Sequence, residues 1–173
     1  KNILVPEVAE IENMFLIEDV IRIMANVNGT DAERAVQKVK HAVTALFKAE
    51  LHQQALQHTR HYMKKMVERR VDGRFPDIAT LEKHIGGLLD ELNPRGIYED
   101  RCREFHNYAD SGDYAGILKV YNQKSTLSNC NAAALCGYSN KDRYIDGVIS
   151  ILSGTRPEGE QIRRIFRKAL GIS

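Results

Sequence analysis

With 173 residues, 43% of them apolar, the chain is long enough for one domain with a substantial core. Its 25 Lys and Arg nearly cancel its 23 Asp and Glu, which excludes a global field steering the whole molecule to nucleic acid or membrane and leaves only local patches. Cys102, Cys130 and Cys136 are odd in number and lack the close pairing of a structural zinc site, so neither a disulfide framework nor a structural metal is expected and a reducing cytoplasm fits.

In chain order, "KNILVPEV" reads as the tail of a strand entering a turn, without a signal-peptide pattern. Residues 1–13 are therefore expected to close a preceding α/β segment cut from a longer chain, with residues 14–173 forming a helical domain; removal of a tag or omission of a disordered start are the alternatives. Phe15, Leu16, Val20, Ile23, Met24 and Val27 recur at helical spacing up to Asn28-Gly29. "TDAE", Thr30 to Glu33, has the form of a capping box. From there an apolar stripe from Val36 to Val67 runs without Pro or Gly as far as Gly73, giving one long helix or two with a bend near His52.

Between Pro76 and Pro94, Ile78, Leu81, Ile85, Leu88, Leu89 and Leu92 mark a helix softened at Gly86-Gly87. Further helices are expected from Ile97 to Tyr108 and, after the turn "DSGD", from Tyr114 to Asn122. "QKSTLSNCNAAALCGYSN" reads as loop with room for one helical turn at Ala132 to Leu135, and Tyr144 to Leu152 and Glu160 to Leu170 close the chain. The fold expected is all-α, an irregular bundle of about six to seven helices including one long one. No apolar run approaches the ~20 residues of a membrane span, so no membrane partner is expected.

Phosphate-loop, Gly-x-Gly-x-x-Gly, Gly-x-Ser-x-Gly and His-Glu-x-x-His patterns are all absent. "HTRHYMKKMVERR" places Arg60 with Lys64, and His61 with Lys65 and Arg69, on neighbouring rows of the long helix, continued by Arg70. Such a ridge could follow a nucleic-acid backbone, or be the solvated outer face of an amphipathic helix. "RCREFH" separates Arg101 from His106 by four residues, a spacing similar to the Arg/His motif of helical HEPN ribonucleases, although Cys102 stands where those motifs carry a polar residue. Glu10, Glu12 and Asn13 crowd the start of the first helix; helix-dipole compensation accounts for one carboxylate, and oxygen ligation of a divalent cation is the alternative.

"VPEVAEIENMFLIEDVIRIMA" resembles the segment that follows the Toprim-like nuclease core in proteins with an ABC-type or OLD-like ATPase ahead of it, and "DYAGILKVYNQKSTL" resembles their later helix-lysine-loop segment. The resemblance implies the helical C-terminal part of an ATP-dependent, metal-dependent nuclease-like protein of bacterial phage defence, inactive as an isolated piece. Glu12, with Glu10, would then help hold Mg2+, Asn13 would support them and Lys124 would stabilise charge on the scissile phosphate. Arg60, Lys64, Lys65, Arg69 and Arg70 would position nucleic acid, and ATP would be bound by the upstream domain. Two other readings stand beside it: a non-catalytic helical interaction domain pairing through the long helix as a homo-oligomer, and a HEPN-type ribonuclease using Arg101 and His106.

Overall fold

The computed structural model describes residues 7–71 and 73–172, apart from the side chains of Leu89 and Asp90. It is all-helical, with no strand among the described residues; the strand tail expected before Pro6 lies outside them. A 3-10 helix, η1 (Ile11–Leu16), precedes nine α-helices: α1 (Glu18–Val27), α2 (Ala32–Val71), α3 (Ile78–Leu92), α4 (Pro94–Ser111), α5 (Tyr114–Val120), α6 (Thr126–Asn129), α7 (Ala132–Leu135), α8 (Lys141–Ser153) and α9 (Pro157–Ala169). This exceeds the six to seven expected, because the Ser/Asn-rich stretch folds into two single turns and the first expected helix is divided at Ile17 into η1 and α1. Asn131 divides them at φ 61°, a left-handed conformation that Asn tolerates better than most residues. None of the described helices is long and apolar enough to cross a membrane.

Local chemistry sets most boundaries. Thr30 does not start a capping box: its hydroxyl turns back to donate to the Ala25 carbonyl at 3.1 Å and closes α1, while Asp31 accepts from the Arg34 N–H at 3.0 Å and caps α2. Glu33 pairs with Arg22 instead, at 2.7 Å. The single long helix is realised, since α2 continues unbroken past His52 for 40 residues. Asp77, Asp113 and Asn140 cap α3, α5 and α8 by accepting from Thr80, Gly116 and Arg143. Helix α3 runs through Gly86-Gly87 without interruption.

The chain packs as two compact units, Lys1–Ala49 with Tyr108–Ser173, and Glu50–Asn107. In the second, α2 buries Leu51, Gln54, Ala55 and Thr59, whose three- and four-residue spacing defines one face, and Leu88, Leu92 and Phe105 are buried with them. His58 meets Phe105 edge-to-face at 5.1 Å.

The first unit is assembled around η1. Leu16, Val20, Ile21, Met24, Val36, Val39, Val43, Phe47, Ile117, Tyr144, Val148 and Ile162 are fully enclosed. Helices α8 and α9 pack on each other, and α1 packs on both η1 and α9. A Cβ on Gly159 would lie 2.4 Å from the Ile151 carbonyl, so this close approach of α9 to α8 requires glycine.

Three polar side chains lock η1 in place. Asn13, fully buried, donates from Nδ2 to the carbonyls of Leu118 and Tyr121 at 3.0 and 2.9 Å, covering the C-terminal end of α5. The backbone kinks at Ile17 (ψ 133°), freeing two carbonyls that the following helix does not use. The Tyr144 hydroxyl donates to that of Phe15 and the Tyr114 hydroxyl to that of Leu16, both at 2.8 Å. Burial holds both phenols well above the usual tyrosine range, so they remain donors at any working pH.

Replacing Asn13 should therefore test the lock. Asn13→Ala is expected to lower stability by about 1–3 kcal/mol, because buried carbonyls lose their donor. Asn13→Asp should cost more, since it sets a carboxylate against those carbonyls. Urea unfolding midpoints measure both, and an Asp variant as stable as the parent would show that the amide donors are not used.

Candidate functional site

Of the residues singled out at the start of the chain, Glu12 and Asn13 adjoin on η1 and share one property. Among the described residues they carry the two buried side-chain oxygens without a hydrogen-bond partner, Glu12 Oε2 and Asn13 Oδ1. The other Glu12 oxygen, Oε1, receives Lys141 Nζ at 3.1 Å. Lys141 opens α8 behind the Asn140 cap, and nothing in the sequence ties it to a glutamate 129 positions away. Both side chains are about a third exposed, at 30% and 32%, which keeps the pair within the ~0–1 kcal/mol of surface salt bridges.

Glu10 is half-buried in extended backbone at the N-cap of η1, where its side chain makes no capping hydrogen bond. Lys124 is exposed in the turn between α5 and α6, three positions beyond the Tyr121 carbonyl that Asn13 holds. Since η1 also packs on α6, the fold gathers the two resemblance segments at one corner of the first unit.

Oxygen donors suit a hard cation such as Mg2+. Here, however, the ammonium of Lys141 occupies one carboxylate oxygen, and the two free oxygens are closed off from solvent. No group of three His, Cys, Asp or Glu side chains able to hold a metal exists among the described residues. The corner does not fit a Mg2+ site built by this chain. What suits two enclosed acceptor oxygens is a donor packed against them.

The basic ridge lies in the second unit. Arg60, Lys64, Lys65, Arg69 and Arg70 are all exposed on α2. Lys64 approaches Glu68 at 3.8 Å and Arg70 pairs with Glu91 at 3.0 Å. Arg60 has no ion pair among the described residues. It lines an open groove of about 520 Å3 with His52, Gln53, Leu56, Gln57 and Tyr98.

Beside this groove is a cluster that sequence spacing did not reveal. His52 Nδ1 lies 3.1 Å from the Tyr98 hydroxyl and 3.6 Å from Cys102 Sγ, and its ring is 5.9 Å from that of His106. The contact between Tyr98 and Cys102 raises the phenol pKa. His106 Nδ1 is 2.7 Å from the Cys102 carbonyl one turn back. Arg101 instead binds Glu104 at 2.6 Å. Five helical positions separate Arg101 from His106, about 140° around α4, so the two residues of the HEPN-like spacing face different ways within one chain.

The cysteines divide by environment. Burial pushes the Cys130 thiol up to about 11 and the Cys136 thiol up to about 12, whereas Cys102 is only partly covered. Because the thiolate is the reactive form, a disulfide reagent near pH 8 should modify one thiol quickly in the folded protein and three after denaturation. Cys102→Ser should remove the fast phase; rapid reaction of two or more thiols in that variant would contradict the assignment.

Comparison with models of known protein families, with curated proteins and with solved structures produced no match.

Proposed function

We propose that this chain is the helical C-terminal part of an ATPase-linked, Toprim-like nuclease acting in the cytoplasm in defence against phage, and that it is inactive when separated from the upstream domains. Support comes from one coincidence. The Glu-Asn pair of the patch that resembles those proteins is also the pair whose side-chain oxygens are enclosed and unpartnered among the described residues. Most buried polar groups are satisfied, so two adjacent orphans mark a place where another polypeptide completes the structure.

In this reading Glu12, held by Lys141, and Asn13, held by the end of α5, form a joint against which the upstream domains pack, and the cover over the two enclosed oxygens shifts there to admit their donors. Lys124, free and cationic at the same corner, supplies positive charge toward a scissile phosphate. Mg2+ and ATP belong to the upstream domains, which also supply the acidic ligands lacking here; bound Mg2+ would neutralise charge developing on the phosphate. The ridge from Arg60 to Arg70 holds the nucleic acid.

The test uses the longer gene product. Glu12→Ala and Lys124→Ala should each lower ATP-dependent cleavage by about tenfold or more, as expected when a positioning or charge-stabilising group is removed. ATP turnover should stay near the parental rate and melting should shift by only a few degrees. Raising the Mg2+ concentration should leave the Glu12→Ala defect unrepaired; repair would make Glu12 a metal ligand instead of part of the joint. Parental cleavage by both variants, or cleavage by the isolated chain, would overturn the proposal.

One observation favours a second reading, a non-catalytic assembly module. The second unit exposes Leu56 and Ile78 at 60% and 67%, with Val67 and Ile85 also open, more apolar surface than scattered exposed residues need. Sedimentation at micromolar concentration should then show a homodimer that Leu56→Glu dissociates, whereas a monomer would exclude this reading.

A further inference from the structure

We infer that the groove between α2 and α4 in the second unit is a binding site for one nucleotide of a single-stranded nucleic acid, from which the basic ridge carries the strand onward. This rests on the nucleic-acid-binding role of the ridge and not on the Glu12 joint.

The lining has the composition such a site needs. His52, Gln53, Gln57, Arg60 and Tyr98 supply hydrogen-bonding groups, and among the described residues no carboxylate lines the groove. The exposed face of Leu56 and the Tyr98 ring add apolar surface against which a sugar or base can lie. Gln53, Gln57 and Arg60 have no side-chain partner among the described residues, so their donors need not be detached from the protein before meeting a ligand. His52 is different, because Tyr98 and Cys102 hold its ring from one side. The wall is therefore held where His52 meets Tyr98 and Cys102, and Gln53, Gln57 and Arg60 are left to adapt.

Position along α2 supplies the direction. Gln53, Gln57, Arg60 and Lys64 succeed one another at four, three and four residues, a single stripe of a straight helix. Lys65 and Arg69 continue on the neighbouring row and line a shallow cavity with Glu68 and Val71. An electrostatic track that begins at Arg60 in the groove wall thus leads away from the uncharged hydrogen-bonding groups of Gln53 and Gln57. The glutamine contacts distinguish this site from a diffuse basic patch, because their contribution to affinity carries no counterion release.

A volume of about 520 Å3 lies within the ~300–1,000 Å3 range of small-ligand pockets. It suits a nucleotide turned out of a flexible strand. A regular duplex keeps its bases stacked inward and presents no such group, which is why the inference is for single strands.

The chain itself can be tested by fluorescence anisotropy with a labelled single-stranded oligonucleotide of about 12 nucleotides, in RNA and DNA forms, titrated at several salt concentrations between about 50 and 200 mM. Arg60→Ala should weaken binding and lower the salt slope by about one. The double variant Gln53→Ala with Gln57→Ala should weaken binding about fivefold without changing the slope, since it removes uncharged contacts. Arg34→Ala, far from the ridge along α2, should bind as the parent. Thermal melting checks that each variant is folded.

If the double glutamine variant binds like the parent while Arg60→Ala and Arg69→Ala lose affinity equally, the groove is overturned and only a diffuse ridge remains. Duplex binding as tight as single-strand binding also overturns it. Failure of the parent to bind any strand at the lowest salt overturns groove and ridge together, leaving the Glu12 joint to be decided by its own variants.

Discussion

The first unit depends on how it disposes of backbone carbonyls that its short helices leave free. Helix α5 is only seven residues long, so most of its carbonyls lie in the last turn, without intrahelical partners. Those of Leu118 and Tyr121 are covered by the Asn13 amide, and the Ala9 N–H also reaches Leu118 O, at 2.9 Å. The kink at Ile17 frees the carbonyls of Phe15 and Leu16, and two buried tyrosines answer them. Each bond joins segments about a hundred positions or more apart in sequence. One amide and two phenols thereby fix η1 against α5 and α8, and a core of aliphatic side chains closes around them.

That constraint places chemistry where the helices end. Asn13 cannot satisfy α5 and also leave this corner, so Glu12, its neighbour, is held beside it. Lys141 is brought to Glu12 because α8 must present Tyr144 to Phe15, and Lys141 lies one turn before Tyr144 on the same face. A carboxylate interpreted from sequence as a metal ligand is thus paired through one oxygen with a lysine that arrives as a consequence of packing. What remains unpartnered among the described residues is one enclosed oxygen on each of two adjacent residues.

The second unit has a different character. Its helices bury few large side chains, mainly Leu51, Leu88, Leu92 and Phe105, and leave both apolar residues and unpaired donors outside. Positive charge gathers on the distal part of α2, where Arg60, Lys64, Lys65, Arg69 and Arg70 face a single carboxylate of the same stretch, Glu68. Two histidines, a tyrosine and a cysteine cluster at the near end of this ridge. Charge and hydrogen-bonding capacity therefore follow one another along a single helix.

How much of this was legible in the sequence varied with the range of the interaction responsible. Helical class, the long apolar stripe of α2, the turn at Gly112 and the absence of a membrane-spanning run depend on spacings of three and four residues and on turn residues, which a linear reading captures; whether α2 bends near His52 stayed open, and the structure shows it continuous. Within the Ser/Asn-rich stretch only the turn at Ala132–Leu135 was visible, because single-turn helices have no periodicity to detect. "TDAE" departs from the capping box because the Thr30 hydroxyl, instead of accepting from a backbone N–H at the start of α2, donates to the Ala25 carbonyl at the end of α1, and Asp31 takes over the cap. The ridge was visible because one helix carries all of it. Lys141 against Glu12, His52 against Cys102, and the burial of Asn13 were not, because each joins residues whose proximity exists only after folding. The sequence by itself determined which segments are helical and where charge lies along them; tertiary structure alone decided which polar groups meet, because that depends on the mutual satisfaction of helix ends remote in the chain.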